Sequence, residues 1–158
     1  MSGHSDSLPE QQTQSAAIHS TLGIVGAGAI GCFLGAILSQ DKALSVQFFG
    51  RERLAAELAA YGLTACFGPQ RLTVNSPAFY TSMVSLIECD VVLLTVKATS
   101  LPQLIPQLKK FIRPDVPVIA LQNGVGVRMM LENELANPIY RAIVPFNVVK
   151  TSAGCFSM

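Results

Sequence analysis

Residues 22–31 read Leu-Gly-Ile-Val-Gly-Ala-Gly-Ala-Ile-Gly, an apolar strand pattern that runs directly into the glycine motif G-x-G-x-x-G. Each glycine has a physical reason to be there. Gly26 permits a tight turn out of the strand, Gly28 lets the backbone approach a bound group closely, and Gly31 allows the next helix to pack on the strand. The stretch therefore predicts a strand, a loop and a helix in immediate succession.

The start of that helix favours an anion, because its first N–H groups have no partner within the helix and carry a partial positive charge. We predict a dinucleotide pyrophosphate at this position. The predicted contact residues are Gly26, Ala27, Gly28, Ala29, Ile30 and Gly31. The alternative is a glycine-rich helix that packs closely on a sheet or within a membrane.

The composition describes one globular domain. The chain has 158 residues, of which 50% are hydrophobic and 13% are charged, so it can bury a core and is too apolar for a disordered protein. The net charge of +1 argues against nucleic-acid binding, which needs a basic surface. Residues 1–20 are rich in Ser and Gln, so we predict a disordered extension there and the folded domain over residues 21–158.

Strand-like and helix-like segments alternate along the domain. This alternation predicts an α/β fold with a Rossmann-type, doubly wound and mainly parallel sheet in the strand order 3-2-1-4-5. The predicted strands are residues 22–26, 45–49, 63–66, 71–74, 90–96, 116–121, 139–144 and 146–150. The predicted helices are residues 30–40, 51–61, a segment after Ser100 and residues 126–136.

Local signals refine this pattern. A turn at residues 67–70 joins the two short strands 63–66 and 71–74, and one of them is expected at the edge of the sheet. Pro106 is expected to start or kink the helix after Ser100, because proline removes an interior hydrogen bond. In the helix 51–61 the spacing of Arg53 and Glu57 predicts an i,i+4 ion pair.

The residue at the end of the second strand bears on the choice of dinucleotide. An NAD site usually has Asp or Glu there, about 20 residues beyond the glycine loop, to bind the ribose 2′-hydroxyl. This chain has Phe48-Phe49-Gly50-Arg51 instead. A guanidinium suits a 2′-phosphate, so Arg51 favours NADPH as the cofactor. The alternative is that Arg51 is an ordinary solvated residue at the start of a helix.

Two polar residues follow the strands that flank the predicted crevice. Lys97 comes directly after the strand 90–96, and Asn123 comes two residues after the strand 116–121. In the predicted strand order both side chains lie at the nicotinamide end. An ammonium can bind a phosphate or a substrate carboxylate, and a carboxamide can bind the ribose or a carbonyl oxygen. The alternative is that each is an ordinary loop residue.

The remaining reactive residues predict no further chemistry. The four cysteines have no C-x-x-C spacing, so we interpret them as reduced core residues of a cytoplasmic protein. Both histidines lie within the first twenty residues, which disfavours a zinc site or a histidine-based triad, and no metal site is predicted.

The uncharged residues 22–38 raise the alternative of a membrane helix, which their five glycines disfavour.

These motifs together resemble the N-terminal NADP-binding domain of the ketopantoate reductase (2-dehydropantoate 2-reductase) family. The similar stretches are LGIVGAGAIGCFLGAIL, FFGRERLAAELAAYGLTA, CDVVLLTVKA, LQNGVGV and IVPFNVV, which lie in this order within residues 22–150. The resemblance implies reduction of a 2-oxo acid with NADPH on the route to pantothenate. It also implies cofactor phosphates on the glycine loop, the 2′-phosphate near Arg51, and cofactor or substrate contacts from Lys97 and Asn123.

The resemblance also implies a helical C-terminal domain, which carries the family's catalytic lysine and substrate-binding glutamate. The sequence stops at Met158, before either position, so we assign no catalytic residue and expect the chain alone to be inactive. Three interpretations remain open: the cofactor domain of a reductase, a stand-alone NADP(H)-binding module without catalysis, and a small membrane protein anchored by residues 22–38. The expected partners are NADP(H), a small 2-oxo acid, and a helical C-terminal domain or further copies of the chain in a homo-oligomer.

Overall fold

The structure is a computed structural model that describes residues 19–158. Residues 1–18 of the predicted extension lie outside the described residues. The first strand begins at Ser20, two residues earlier than the sequence pattern predicts.

Strands and helices alternate through most of the described residues, as the pattern predicts. The strands are β1 (Ser20–Val25), β2 (Leu44–Phe49), β3 (Leu63–Phe67), β4 (Gln70–Val74), β5 (Ala78–Tyr80), β6 (Val91–Leu94), β7 (Val118–Ala120), β8 (Ile139–Arg141), β9 (Val149–Ser152) and β10 (Cys155–Ser157). The α-helices are α1 (Ala29–Leu38), α2 (Glu52–Tyr61), α3 (Leu101–Phe111) and α4 (Val125–Glu134). Short 3₁₀ helices cover Met83–Glu88 and Ala98–Ser100.

The main sheet has six parallel strands in the order β5-β2-β1-β6-β7-β8. This arrangement confirms the predicted Rossmann-type order, with β5, β2, β1, β6 and β7 in the positions 3-2-1-4-5 and β8 as one further strand. The strand in position 3 was missed, because β5 is only three residues long, which is too short to show the alternating pattern of a strand. It pairs with the end of β2, where Phe49 lies opposite Tyr80.

A second sheet holds the hairpin that was expected at the edge of the first. It has four strands in the order β4-β3-β10-β9, so the prediction of a single sheet with an edge addition is wrong. The physical reason is the segment Cys155–Ser157, which was not predicted as a strand and which pairs in parallel with β3. The predicted strand 146–150 is also displaced, since β9 covers Val149–Ser152.

The helix α3 begins at Leu101, and Pro106 lies inside it, so of the two expectations for Pro106 the start of the helix is wrong and the kink stays a prediction. An interior proline costs about 3 kcal/mol. Burial of the side chains of Leu101, Ile105 and Leu108 on the sheet offsets this cost, because each contributes roughly 1.5 to 3 kcal/mol.

Alternating side chains divide the core between the two faces of the main sheet. Ile24, Phe48 and Leu93 point to the face that packs against α1, α2 and the second sheet. Their chain neighbours Val25, Phe49 and Leu94 point to the other face, which α3 and α4 cover. Both faces of the parallel sheet are therefore buried, as a doubly wound fold requires.

The helix α1 packs unusually close to the sheet at Gly35. A Cβ atom at this position would lie 2.9 Å from the Ile24 Cδ1 atom and closer still to the ring of Phe48. Both of those side chains are fully buried and have no room to move aside. Gly35 thus sets the distance between α1 and the strands β1 and β2.

We predict that Gly35→Ala destabilises the fold by about 1 to 3 kcal/mol, because overpacking outweighs the gain in helix propensity of roughly 1 kcal/mol. Gly126→Ala is the matched control, since a Cβ atom at this α4 glycine meets nothing within 4 Å and its stability should stay equal or rise slightly. Urea unfolding of both variants measures the difference. Equal stability of the two variants would contradict the close packing.

Candidate functional site

A cleft opens at the carboxyl ends of β1, β2 and β6, where the glycine loop, the β2–α2 turn and the end of β6 meet. We call it the main cleft, and its volume is about 660 Å³. Its walls include Gly26, Ala27, Gly28, Gly50, Arg51, Arg53, Leu54, Glu57, Thr95, Val96, Lys97, Ser100, Gln103 and Lys150. In doubly wound sheets, ligands bind at this edge.

The glycine loop requires glycine at two positions because of what surrounds it. Gly26 has a φ of +97°, and a Cβ atom there would lie 2.5 Å from the backbone nitrogen of Val96. A Cβ atom at Gly31 would lie 2.5 Å from Thr95 Oγ1 and 2.6 Å from the Gly26 carbonyl oxygen. The loop is therefore pressed against the end of β6.

Gly28 differs from these two glycines, because a Cβ atom there would meet nothing within 4 Å. It is exposed, lines the main cleft and is the N-cap residue of α1, with no side chain capping the helix. The backbone at Gly28 is thus open to the cleft, and the first N–H groups of α1 lack a side-chain acceptor. This arrangement fits the pyrophosphate of a dinucleotide.

Thr95 connects the glycine loop to the end of β6 through hydrogen bonds. The sequence did not predict this role. Its backbone N–H donates to the Val25 carbonyl oxygen at 2.9 Å, and its hydroxyl donates to the carbonyl oxygens of Val25 and Gly26. These bonds fix where β1 ends and the loop begins. A threonine inside an apolar strand pattern was the signal available in the sequence.

Three cations line one end of the main cleft. Arg51 lies at the N-cap of α2, Arg53 lies in its first turn, and Lys150 reaches the cleft from β9. The Lys150 Nζ atom donates to Glu57 Oε2 at 2.6 Å, and the Gly154 backbone N–H donates to Glu57 Oε1 at 2.8 Å.

The bond from Lys150, followed by that from Gly154, holds the pKa of the Glu57 carboxyl below its ordinary value. Glu57 therefore stays ionised at neutral pH, and its charge is matched by Lys150. The salt bridge of Glu57 in the described structure is with Lys150 of the second sheet, so the predicted pair with Arg53 is wrong. Since Lys150 balances the negative charge of Glu57, Arg51 and Arg53 give this end of the cleft a positive charge.

A smaller side cavity of about 290 Å³ continues from the other end of the main cleft, and both share Thr95, Val96 and Lys97. Its walls also include Ile30 of the glycine motif and Asn123 beyond β7. The structure thus brings Lys97 and Asn123 to one place, and both side chains are exposed. Of the predicted residues, Ala29 and Gly31 line neither space; Gly31 instead packs on β6.

Gln122 is the buried polar residue of the side cavity, and sequence reasoning passed over it in favour of Asn123. Its Nε2 atom donates to the carbonyl oxygens of Leu94 at 3.1 Å and Val96 at 2.9 Å. It therefore fixes the end of β6 directly before Lys97. Its Oε1 atom is buried without a hydrogen-bond partner among the described residues.

Among residues 19–158, no helix has the length and apolar content needed to cross a membrane. Residues 22–38, which the sequence left open as a membrane helix, are divided between β1, the glycine loop and α1.

The comparisons with known proteins agree with this architecture. A solved PanE/ApbA family ketopantoate reductase from Ralstonia eutropha JMP134 is similar with a TM-score of 0.79 and 24% identity, over 87% of this chain and 45% of that protein. A solved D-mandelate dehydrogenase bound to NADH and anilino(oxo)acetate has a TM-score of 0.69 and 22% identity, over 87% and 45% of the two chains. The chain therefore spans less than half the length of these proteins, and the likeness shows the fold.

Sequence comparison points to the same family. The oxidoreductase YkpB of Bacillus subtilis (strain 168), itself uncharacterized, is 33% identical over 104 residues, which are 64% of this chain and 32% of that protein. The sequence profile described as "Ketopantoate reductase PanE/ApbA" matches residues 22–158. Because this match covers most of the chain, the protein belongs to the PanE/ApbA ketopantoate reductase family.

Proposed function

We propose that the main cleft binds NADPH and that the chain is the cofactor-binding domain of an oxidoreductase that reduces a 2-oxo acid to a 2-hydroxy acid. The observation that carries the proposal is the open backbone at Gly28, beside the uncapped start of α1 and within the same cleft as Arg51. The volume of about 660 Å³ is within the range of cofactor pockets, roughly 300 to 1,000 Å³.

Charge at the end of β2 supports NADPH over NADH. Glu57 is a carboxylate on the cleft wall, and its interaction with Lys150 compensates its charge. Glu57 is the only carboxylate among the residues that form the cleft walls in the described part of the chain, and Arg51 and Arg53 also line the cleft. A ribose 2′-phosphate gains charge-assisted hydrogen bonds from such groups, whereas a 2′-hydroxyl gains little.

The side cavity is the proposed place of the nicotinamide and the 2-oxo acid. The Lys97 ammonium suits the carboxylate of the acid, and the Asn123 carboxamide suits its ketone oxygen or the cofactor ribose. NADPH supplies the hydride when it is bound. Gln122 donates hydrogen bonds to the carbonyl oxygens of Leu94 and Val96, and these bonds fix the backbone position directly before Lys97. In keeping with the family, we propose 2-dehydropantoate as the substrate, the route to pantothenate as the context, and the cytoplasm as the compartment.

No described residue is assigned as the catalytic acid. Lys97 and Asn123 are both exposed, so water reaches the position where charge would develop on the ketone oxygen. A positioned acid contributes roughly 10²- to 10⁴-fold, and it acts best where water is excluded. The exposure of these two residues favours, as the second candidate function, a module that binds NADP(H) without catalysis.

We predict that the chain binds NADPH more tightly than NADH and that Arg51→Ala removes most of this preference. Loss of a charge-assisted bond costs about 1.5 to 3 kcal/mol, which is roughly a 10- to 150-fold rise in the Kd for NADPH. Calorimetric titration with both cofactors measures it. Arg71→Ala is the matched control, since Arg71 is an exposed arginine of β4 outside the cleft. Equal affinities in the unmodified chain would overturn the NADPH assignment.

We also predict that Gly28→Val leaves the chain folded and abolishes binding of both cofactors. The new side chain meets no protein atom within 4 Å at its Cβ position, and it occupies the space through which the pyrophosphate approaches the backbone. Gly126→Val serves as the control, because Gly126 is an open glycine in the first turn of α4. Retained NADPH binding in a folded Gly28→Val variant would refute the loop assignment.

The third expectation concerns turnover by the 158-residue chain. With NADPH and 2-dehydropantoate we expect no substrate-dependent oxidation, because the exposed Lys97 is not held against the ketone oxygen. Loss of absorbance of the reduced nicotinamide at increasing substrate measures this. Oxidation that depends on 2-dehydropantoate and disappears in Lys97→Ala would instead show that the chain is an enzyme by itself and that Lys97 takes part in its reaction.

A further inference from the structure

Two of the cysteines lie in contact although they are far apart in the sequence. The Sγ atoms of Cys66 and Cys155 are 3.5 Å apart, and the residues are separated by 89 positions. Both are free thiols in the structure. The sequence predicts four equivalent core cysteines, and the fold of the second sheet distinguishes this pair from the other two.

The pairing of β3 with β10 explains the contact. In this parallel pair Cys155 lies opposite Thr64, and Cys66 lies opposite Ser157. The two cysteines are therefore diagonal neighbours on one face of the sheet, because residues two apart in a strand share a face. The β10–β9 pairing shifts register between Cys155 and Phe156, so the backbone beside Cys155 is already irregular. An S–S bond is about 2.0 Å long, so disulfide formation requires the backbone of β10 to shift and bring the two sulfurs closer by roughly 1.5 Å.

The other two cysteines have a different environment. Cys32 and Cys89 have no exposed surface, and burial raises the pKa of Cys32 to about 12 and that of Cys89 to about 11. Their thiols are inert, because the thiolate is the reactive form. Cys66 is partly exposed, and Cys155 is 9% exposed.

The two thiols of the pair are also inequivalent. The neighbouring Thr151 side chain lowers the pKa of the Cys155 thiol from its ordinary value, burial opposes this, and the contact with Cys66 lowers it further. Burial raises the pKa of the Cys66 thiol, and its bond to Cys155 raises it further. These opposite directions favour Cys155 as the attacking thiol, and Cys66, whose sulfur lies 3.5 Å away, is placed to act as the resolving thiol.

We propose that Cys66 and Cys155 form a reversible dithiol–disulfide site that a peroxide oxidises. The Cys155 thiolate attacks one oxygen of hydrogen peroxide; the S–O bond forms, the O–O bond breaks, and the departing hydroxide takes up a proton to leave as water. The sulfur of Cys66 then attacks the sulfenic acid of Cys155, the S–S bond forms, and a second water leaves with the proton of Cys66. Two thiols are oxidised, and one peroxide is reduced to two waters.

The site lies next to the ion pair at the main cleft. Gly154, directly before Cys155, donates its N–H to Glu57, and Lys150 of the neighbouring strand β9 binds the same carboxylate. A disulfide covalently joins β10 to β3 across a closed loop of most of the domain. Closing so long a loop restricts the unfolded chain, so we expect the oxidised form to be the more stable one.

The test treats the purified chain with hydrogen peroxide, alkylates the remaining thiols and maps the peptides by mass spectrometry. We expect one disulfide between Cys66 and Cys155, alkylation only at Cys32 and Cys89 after unfolding, and full reversal by dithiothreitol. The Tm should rise by several degrees on oxidation and return on reduction. In Cys66→Ser the same treatment should leave a sulfenic acid at Cys155, which dimedone traps.

Cys89→Ala is the matched control, because it removes an inert thiol and should keep both the disulfide and the shift in Tm. Four alkylatable thiols after peroxide treatment, a disulfide that involves Cys32 or Cys89, or a bond between two copies of the chain would each overturn the proposal. A Cys66→Ser variant without sulfenic acid at Cys155, in a chain shown to be folded by circular dichroism, would overturn the assignment of Cys155 as the attacking thiol.

Discussion

The rest of the structure depends on the close approach of the glycine loop to the end of β6. Gly26 and Gly31 have no space for a side chain because Thr95 and Val96 press against them. The hydroxyl of Thr95 then bonds the carbonyl oxygens at the end of β1. This contact places the start of α1 at the edge of the sheet and leaves Gly28 as the one glycine of the motif that faces open space. The contact between the glycine loop and the end of β6 therefore shapes the main cleft.

The two ends of the cleft differ in their charged and polar residues. At the end of β2, Glu57 binds Lys150, and Arg51 and Arg53 give a positive surface that suits a phosphate. At the end of β6, Lys97 is exposed beside Asn123, and the backbone before it is fixed by the buried carboxamide of Gln122. A cofactor in the proposed orientation would thus meet permanent cations at one end and a polar, open cavity at the other.

Sequence patterns were reliable where local forces decide the structure and failed where distant segments meet. The loop 26–31, the helices α1 and α2 and the buried strands β1, β2 and β6 were predicted with end points within a few residues, because glycine geometry and apolar periodicity act locally. The edge strand β5, the second sheet and the pair Glu57–Lys150 were missed. Each of these features depends on contacts between segments that are far apart in the sequence, and no local residue pattern indicates which distant segments will meet.

By itself the sequence determined the Rossmann-type fold of the main sheet and the glycine loop at its edge, because parallel strands buried on both faces need apolar runs and a dinucleotide loop needs glycine at set intervals. Only the tertiary structure decided that β10 pairs with β3, which brings Lys150 to Glu57 and Cys155 to Cys66. That pairing is held by backbone hydrogen bonds, which every residue except proline can both donate and accept. The residue types of β10 therefore do not predict its partner strand.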